Sequence, residues 1–365
     1  CPWQHGGSSS RGRGALMTGL SGRLLTWALA GTATVLPVLG VAQPTGGSAG
    51  AQSAVSPSGA AVANPPQPSQ PGLALIDQLN QAAQRLSFTG TYIHQQTSGV
   101  QGVYMAKIHQ QVQPAGPVIR IESLDGDPRE VVRQPKELRA YLPAAKTIKV
   151  QTGSPVRADF PMLSLQSAQQ LSRYYRVSVS QGTRVAGYDT ELVTLEPLDD
   201  KRWPVRCWVQ RHERLMLKLQ QLSHSGEVLE EQVFSELRVG HRAAPNVVSK
   251  YANETGWKTQ VASIERMDPP KPLALPVAGF EVIAQMRHKP DGMRQIVVSD
   301  GLANASVFIE RRKGSAEDLN TRQRGALSMA SHQHGEWLVT VMGELPPVTV
   351  VTLAKAFPLS TVTTQ

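Results

Sequence analysis

From residue 88 to residue 240 one pattern recurs: a short run with apolar side chains in alternation, then a Gly, Pro or Asp turn signal. The runs are TGTYIHQQ, VQGVYMAKIHQQV, PVIRIESL, REVVRQ, ELRAYLP and KTIKVQT, followed by RVSVSQG, RVAGYDTELVTLEP, PVRCWVQ, LMLKLQQLS and EVLEEQVFSELRVG. Runs of this kind at regular spacing predict an antiparallel meander. A helix precedes it in LALIDQLNQAAQRLSF, where Leu75, Ile76, Leu79, Ala83 and Leu86 recur at helical spacing. A second helix is predicted over MLSLQSAQQLSRYYR, residues 162–176, between the two halves of the meander. Residues 241–256 are polar and turn-rich and read as a linker. A smaller unit is then expected over 257–357, with strands in GFEVIAQMRHK, MRQIVVS, NASVFIERR and EWLVTVMG. Helices are predicted in AEDLNTRQRGALSM and PPVTVVTLAKAF. Many antiparallel strands and few helices, in two consecutive units, make an α+β layout.

The first 72 residues are of a different kind. LLTWALAGTATVLPVLGVA, residues 24–42, is apolar, follows Arg23 and ends in small residues, which is the layout of a secretory signal cut after Ala42. A membrane anchor is the competing reading, and Gly31, Pro37 and Gly40 favour cleavage. Met17 gives a compact start for that signal, so residues 1–16 read as an upstream extension, and Cys1 carries no chemistry. Residues 43–72 hold no charged side chain and are rich in Pro, Gly, Ser and Ala, the composition of a disordered linker. GGSAG at 46–50 matches a nucleophile-elbow pattern but lacks the strand and helix it needs.

Export would remove three of the 37 basic residues and none of the 28 acidic ones, leaving a formal charge of +6. Anionic lipid head groups, lipopolysaccharide phosphates or an acidic polypeptide suit that balance. Nucleic acid does not, because an exported chain with 5% aromatics has no stacking platform. Without Cys1 only Cys207 is left, and an intrachain disulfide is impossible.

Each candidate for chemistry has a plainer explanation. Asp125 and Asp127 lie in DGDP between PVIRIESL and REVVRQ, where Asp-Gly marks a hairpin turn. A calcium loop needs further oxygen ligands at set spacing, and none follows. His332 and His334 supply two thirds of a zinc site without a third ligand nearby. Cys207, between Trp203 and Trp208, reads as a packing residue. No P-loop, Rossmann glycine set or serine triad is present, so neither catalysis nor a cofactor or metal is expected. Arg129, Arg133, Lys136 and Arg139 on adjoining strands form a candidate rim for an anionic lipid, and RRK at 311–313 is a second basic cluster.

Taken in order, several stretches resemble the RseB/MucB family of periplasmic sigma-E (AlgU) factor regulators. They are FTGTY (88–92), ESLDGDPREVVR (122–133), AYLP (140–143), RVAGYDT (184–190), PLDDKRWPVRCWV (197–209), EQVFSELRVG (231–240), VVSDGLANASVFIE (297–310) and GELPPVTVVTLA (343–354). The family usually carries an arginine-tyrosine pair where Arg202 and Trp203 stand. The resemblance implies a large N-terminal half-open barrel over 73–240 with helices across its mouth, similar to lipoprotein-carrier proteins, and a smaller α+β domain over 257–357. It implies a periplasmic protein that binds the tail of an RseA/MucA-like membrane-spanning anti-sigma factor and shields it from site-1 proteolysis. Lipopolysaccharide or a lipid-A-like ligand is implied as the releasing signal. Gly343, Glu344, Leu345 and Pro346 are the candidate contact segment for the tail. A homodimer or higher homo-oligomer stays open, and the alternative function is a periplasmic lipid or lipoprotein carrier using the same cavity.

Overall fold

The structure, a computed structural model, describes residues 70–97, 102–153, 160–164, 167–240, 247–262, 264–267, 273–288, 292–311 and 320–359. The expected signal, GGSAG and residues 312 and 313 lie outside these. Among the described residues, no helix is long and apolar enough to cross a membrane.

The chain opens with helix α1 (Gln70–Arg85) and continues into β1 (Phe88–Gln96), β2 (Gly102–Gln113), β3 (Gly116–Ser123), β4 (Glu130–Gln134), β5 (Glu137–Leu142) and β6 (Thr147–Thr152). A short helix α2 (Ala168–Leu171) precedes β7 (Tyr175–Gln181), β8 (Thr190–Pro197), β9 (Val205–Gln210), β10 (Met216–Leu222) and β11 (Val228–Val239). With β12 (Lys258–Val261) these strands form one 12-stranded sheet in the order β12-β6-β5-β4-β3-β2-β1-β11-β10-β9-β8-β7. Both halves are meanders that grow outward from the central β1–β11 pair. Only β12 runs parallel to its neighbour, β6. Among the described residues the edge strands β12 and β7 do not pair with each other, so the sheet is an open half-barrel.

What curls it is α1. That helix touches β3 in one arm and β7 and β8 in the other. Leu73, Ile76 and Leu79 are buried against Val177, Val193, Leu195, Cys207 and Met216, while Ala83 packs with Phe88, Tyr92, Ile108 and Phe234. Each large side chain so buried stabilises the fold by roughly 1.5–3 kcal/mol. The helix end is also closed by the sheet. Gln110, 1% exposed, donates from its side-chain amide to the carbonyls of Ala83 (2.7 Å) and Leu86 (2.8 Å), groups that a helix C-terminus leaves without partners.

The expected helix over 162–176 is corrected to the single turn of α2. The amides of Leu163 and Ser164 each donate to Asn80 Oδ1 at 3.0 Å, and that of Ala168 donates to Asp77 Oδ1 at 2.9 Å. Those donors are held by α1 and cannot join a longer helix, and Tyr175 pairs with Pro197 as a strand. The DGDP stretch is the expected turn: Gly126 has φ +62°, Ser123 N donates to Arg129 O, and Asp125 Oδ2 accepts the amide of Met105.

The second sheet is built from β13 (Ile264–Met267), β14 (Glu281–His288), β15 (Arg294–Ser299), β16 (Asn304–Arg311), β17 (Asn320–Arg324), β18 (Leu327–His334) and β19 (Trp337–Gly343), in the order β13-β14-β15-β16-β19-β18-β17. Helix α3 (Pro347–Ala356) covers one face, packing Val350, Leu353 and Ala354 on Ile296, Val307, Ile309, Val339 and Val341. Its helical expectation holds, whereas that over AEDLNTRQRGALSM does not. In its described part, residues 320–324 and 327–334 are two antiparallel strands joined at Gly325, whose φ of +57° suits a tight turn. Pairing of β18 with β19 along its length outweighs the local helical pattern.

Candidate functional site

A buried joint at the end of the β7–β9 arm fixes the half-barrel to the smaller sheet. Arg202, between β8 and β9, has a side chain with no exposed surface. Its Nε donates to Asp300 Oδ2 (2.5 Å), Nη1 to Asp199 Oδ2 (2.5 Å) and Nη2 to the carbonyl of Ala278 (2.6 Å). The guanidinium lies over the rings of Tyr174 and Phe280, 4.6 and 5.0 Å from their centres. Asp300 also accepts from the Tyr175 hydroxyl at 3.0 Å and caps the next turn, accepting from the amides of Leu302 and Ala303. Burial first, and the Asp300 carboxylate second, hold that hydroxyl protonated well above the ordinary tyrosine range.

Around this ionic centre the two sheets exchange further bonds. Trp203 Nε1 donates to Ala326 O (2.9 Å), Thr349 Oγ1 to Lys201 O (2.8 Å) and Ser164 Oγ to Gly301 O (2.5 Å). Gly279, at φ +85°, faces the Tyr174 ring so closely that any Cβ would overlap it. Every arm of the guanidinium is satisfied, the condition under which a buried charge is tolerated.

On the other arm, the segment that leads toward the smaller sheet packs on the half-barrel itself. Strand register puts Val118, Arg120, Glu122, Glu130, Val132, Arg139 and Tyr141 on one face of β3–β5. Residues 247–257 cover part of that face, burying Val247 against Val118, Val132 and Tyr141, with Tyr251 stacked on Trp257 at 5.4 Å. Arg120 Nη1 donates to Val248 O at 3.0 Å and Lys250 pairs with Glu122. That contact is the main reason the Glu122 carboxyl titrates below its usual range. Glu130 is fully buried beneath. Arg120 Nε stands 3.9 Å from it, and Ser249 and Lys250 approach without a well-formed hydrogen bond. Burial outweighs Arg120 and raises the Glu130 pKa. Beside them His109 receives or gives one bond to Thr89 Oγ1 (2.9 Å), while its Nε2 is buried without a partner. Burial, then Arg120 and Lys107, lower the imidazole pKa to about 4.

The four candidate rim cations do not form one row. Arg139 pairs in register with Val132 and lies on the face covered by 247–257, tied to Glu137 at 2.5 Å. Arg133 opposes Ile119 and Leu138 and lies on the opposite, helix-side face. Arg129 precedes β4 and Lys136 sits in the β4–β5 turn. On the helix side, register gathers Ile119, Ile121, Val131, Leu138 and Ala140 with Arg133 and Lys149. All seven are half-buried.

In the 343–346 segment, Gly343 abuts the carbonyl of Asn304 and Ala305, leaving no room for a Cβ. Leu345 is fully buried in the core under α3, and Pro346 caps that helix. Glu344 instead reaches the half-barrel, accepting from Gln221 Nε2 at 3.2 Å. His332 and His334 share one side of β18 with rings 4.6 Å apart, and His334 Nε2 bonds the carbonyl of Ala354. Cys207 is buried in β9, where burial alone drives its thiol pKa upward. The joint built on Arg202, Asp300 and Tyr175 is the feature sequence reading passed over. Its signal was DDKR beside WPVRCWV: charges set against a strand with one apolar face of Val205, Cys207 and Val209.

Residues 71–254 match the MucB/RseB N-terminal domain and residues 272–357 the MucB/RseB C-terminal domain. Among curated proteins, the sigma-E factor regulatory protein RseB of Escherichia coli K12 is 25% identical over 295 residues, covering 77% of this chain and 89% of RseB. The sigma factor AlgU regulatory protein MucB of Pseudomonas aeruginosa is 27% identical over 286 residues, covering 74% and 85%. A crystal structure of MucB in complex with MucA(peri) superposes with a TM-score of 0.57 at 23% identity, covering 78% of this chain and 97% of MucB. At that identity the likeness speaks for the fold.

Proposed function

The chain belongs to the MucB/RseB family, and on that premise we propose that it is a periplasmic negative regulator of an extracytoplasmic stress sigma factor. It binds the periplasmic domain of an RseA/MucA-like anti-sigma factor and shields it from site-1 proteolysis. The observation that carries this reading is the pairing of both family domains through the buried Arg202 joint. A carrier that uses only the half-barrel cavity has no need of a second domain bolted to it by a desolvated ion cluster. The relatives point the same way: they are sigma-factor regulatory proteins, and MucB has been solved in complex with MucA(peri).

Release by lipopolysaccharide or another lipid-A-like ligand fits the helix-side face of β3–β6. Apolar Ile119, Ile121, Val131 and Leu138 suit acyl chains, and Arg133 and Lys149 suit phosphates. Tail and lipid compete if each prefers a different state of the protein, a coupling of about 1–3 kcal/mol. The test is a titration of the fluorescently labelled anti-sigma periplasmic domain with this protein, with and without lipopolysaccharide. Saturable binding that weakens with lipopolysaccharide is the expected result. Absent tail binding, with tight acyl-chain binding, would leave the carrier function instead.

A further inference from the structure

The smaller sheet is joined to the half-barrel at both ends of the same open sheet. At one edge, β12 continues β6 and ends at Val261, and only residues 262 and 263 separate it from β13, the edge strand of the smaller sheet. At the other edge, the first residue of β7, Tyr175, bonds Asp300 through its hydroxyl, and its neighbour Tyr174 covers Gly279. The β8–β9 connection beside it carries Arg202 and Trp203 into the smaller sheet, and Leu198 N donates to Tyr174 O to keep that connection on the edge. The smaller domain is therefore tied to both free edges of the half-barrel.

We propose that the smaller domain is a tie-bar: through the Arg202–Asp300 joint it sets how far apart the two arms of the half-barrel stand. α1 holds the two arms together from the concave side, but an open antiparallel sheet has no covalent or hydrogen-bonded closure of its own. Here β12 is fixed to β6 by parallel pairing and by Lys258 N to Lys146 O (2.9 Å) and Ala262 N to Val150 O (2.8 Å). The joint at the β7 edge is the desolvated ion cluster. Opening it exposes or orphans Arg202, Asp199 and Asp300 together, so intermediate widths are disfavoured and the joint behaves as made or broken. An occupant of the helix-side face that pushes the arms apart is thus coupled to the joint some strands away. This inference rests on the fold and holds whichever ligand the protein takes.

The experiment is a pair of spin-label distances on the full chain with Cys1→Ser, Cys207 being buried and unlabelled. Labels at Ser178→Cys and Thr259→Cys, both exposed, read the separation of the arms. Labels at Ser178→Cys and Thr321→Cys read the smaller domain against the β7 edge. In Arg202→Met the 178–259 distribution is expected to broaden and move to longer distance together with the 178–321 distribution. Thr349→Val, which removes only the bond to Lys201 O, gives a smaller shift in the same direction and supplies the reading if Arg202→Met does not fold. A 178–259 distribution that stays where it was, whether or not 178–321 moves, overturns the tie-bar.

Discussion

Two of the charge clusters that the half-barrel buries, one at the joint with the smaller domain and one on the β3–β5 arm, are built to opposite standards. At the β7 edge the Arg202 guanidinium meets Asp300, Asp199 and Ala278 O at 2.5–2.6 Å, and two aromatic rings fill the remaining surface. On the β3–β5 arm Glu130 is just as buried, yet its nearest cation is 3.9 Å away, and His109 keeps a ring nitrogen without a partner. A satisfied cluster is costly to break, and an under-satisfied one is easier to remove. The difference assigns a fixed joint to one arm and, to the other, a latch in which burial shifts the titration of His109 and Glu130.

The largest effect expected is at the joint. Arg202→Ala leaves Asp300 and Tyr175 buried against an empty space and is predicted to destabilise by about 3–5 kcal/mol, read as a shift of the urea midpoint. Trp203→Phe keeps most of the packing and forfeits one bond to Ala326 O. A cost of about 1–3 kcal/mol is expected there, because the carbonyl is left dry. Equal costs for the two would contradict the view that charge satisfaction makes the joint.

Next comes the latch, through pH. A histidine whose folded pKa falls from 6.5 to about 4 is neutral in the folded protein and charged in the unfolded one between those values. Its contribution is complete above pH 6.5 and is lost as pH falls toward 4. Because the ring is partly exposed, about 1–2 kcal/mol is a reasonable ceiling after solvent screening. His109→Asn should flatten the fall in stability between pH 6.5 and 4, measured by denaturation at several pH values. Glu130 runs the other way. Its folded pKa is raised above 4.5, so its contribution is complete below 4.5 and is lost as pH rises through the folded value. Glu130→Gln should remove that loss and be neutral or stabilising at pH 7, whereas the same exchange at Asp300 should destabilise.

The smallest effects are on the surface. Arg139→Ala breaks an exposed pair with Glu137 and should change stability by no more than about 0.5 kcal/mol. Arg133→Glu and Arg139→Glu, compared by binding to vesicles containing anionic lipid, separate the two faces of the sheet. Weaker binding for Arg133→Glu alone is the expected outcome, and equal effects would remove the helix-side face as the lipid site.

Much of this architecture was legible in the chain because strands with one buried face alternate, and Phe88, Tyr92, Ala106 and Ile108 do so clearly. The turn at Asp125–Asp127 and helix α3 carry local signals that the fold leaves intact. Two helices were misjudged where long-range bonds outweigh local preference: Asn80 and Asp77 take amides from 163–168, and β19 recruits β18. Of the basic candidates only Arg133 and Arg139 lie in strands, and a list of cations does not say which face each one shares. Register does, and it separates Arg133 from Arg139. The joint was least legible, since Arg202 and Asp300 are 98 residues apart and a single charge in a loop looks solvated until its partners are placed around it.

Shielding of an anti-sigma tail, as proposed, is read out by proteolysis. The periplasmic domain of the RseA/MucA-like anti-sigma factor is incubated with its site-1 protease, with and without this protein, and the intact fraction is followed over time. Protection that lipopolysaccharide relieves, and that Arg202→Ala weakens, is the predicted result. Cleavage at the same rate with and without the protein, under conditions where it is folded, would contradict the account.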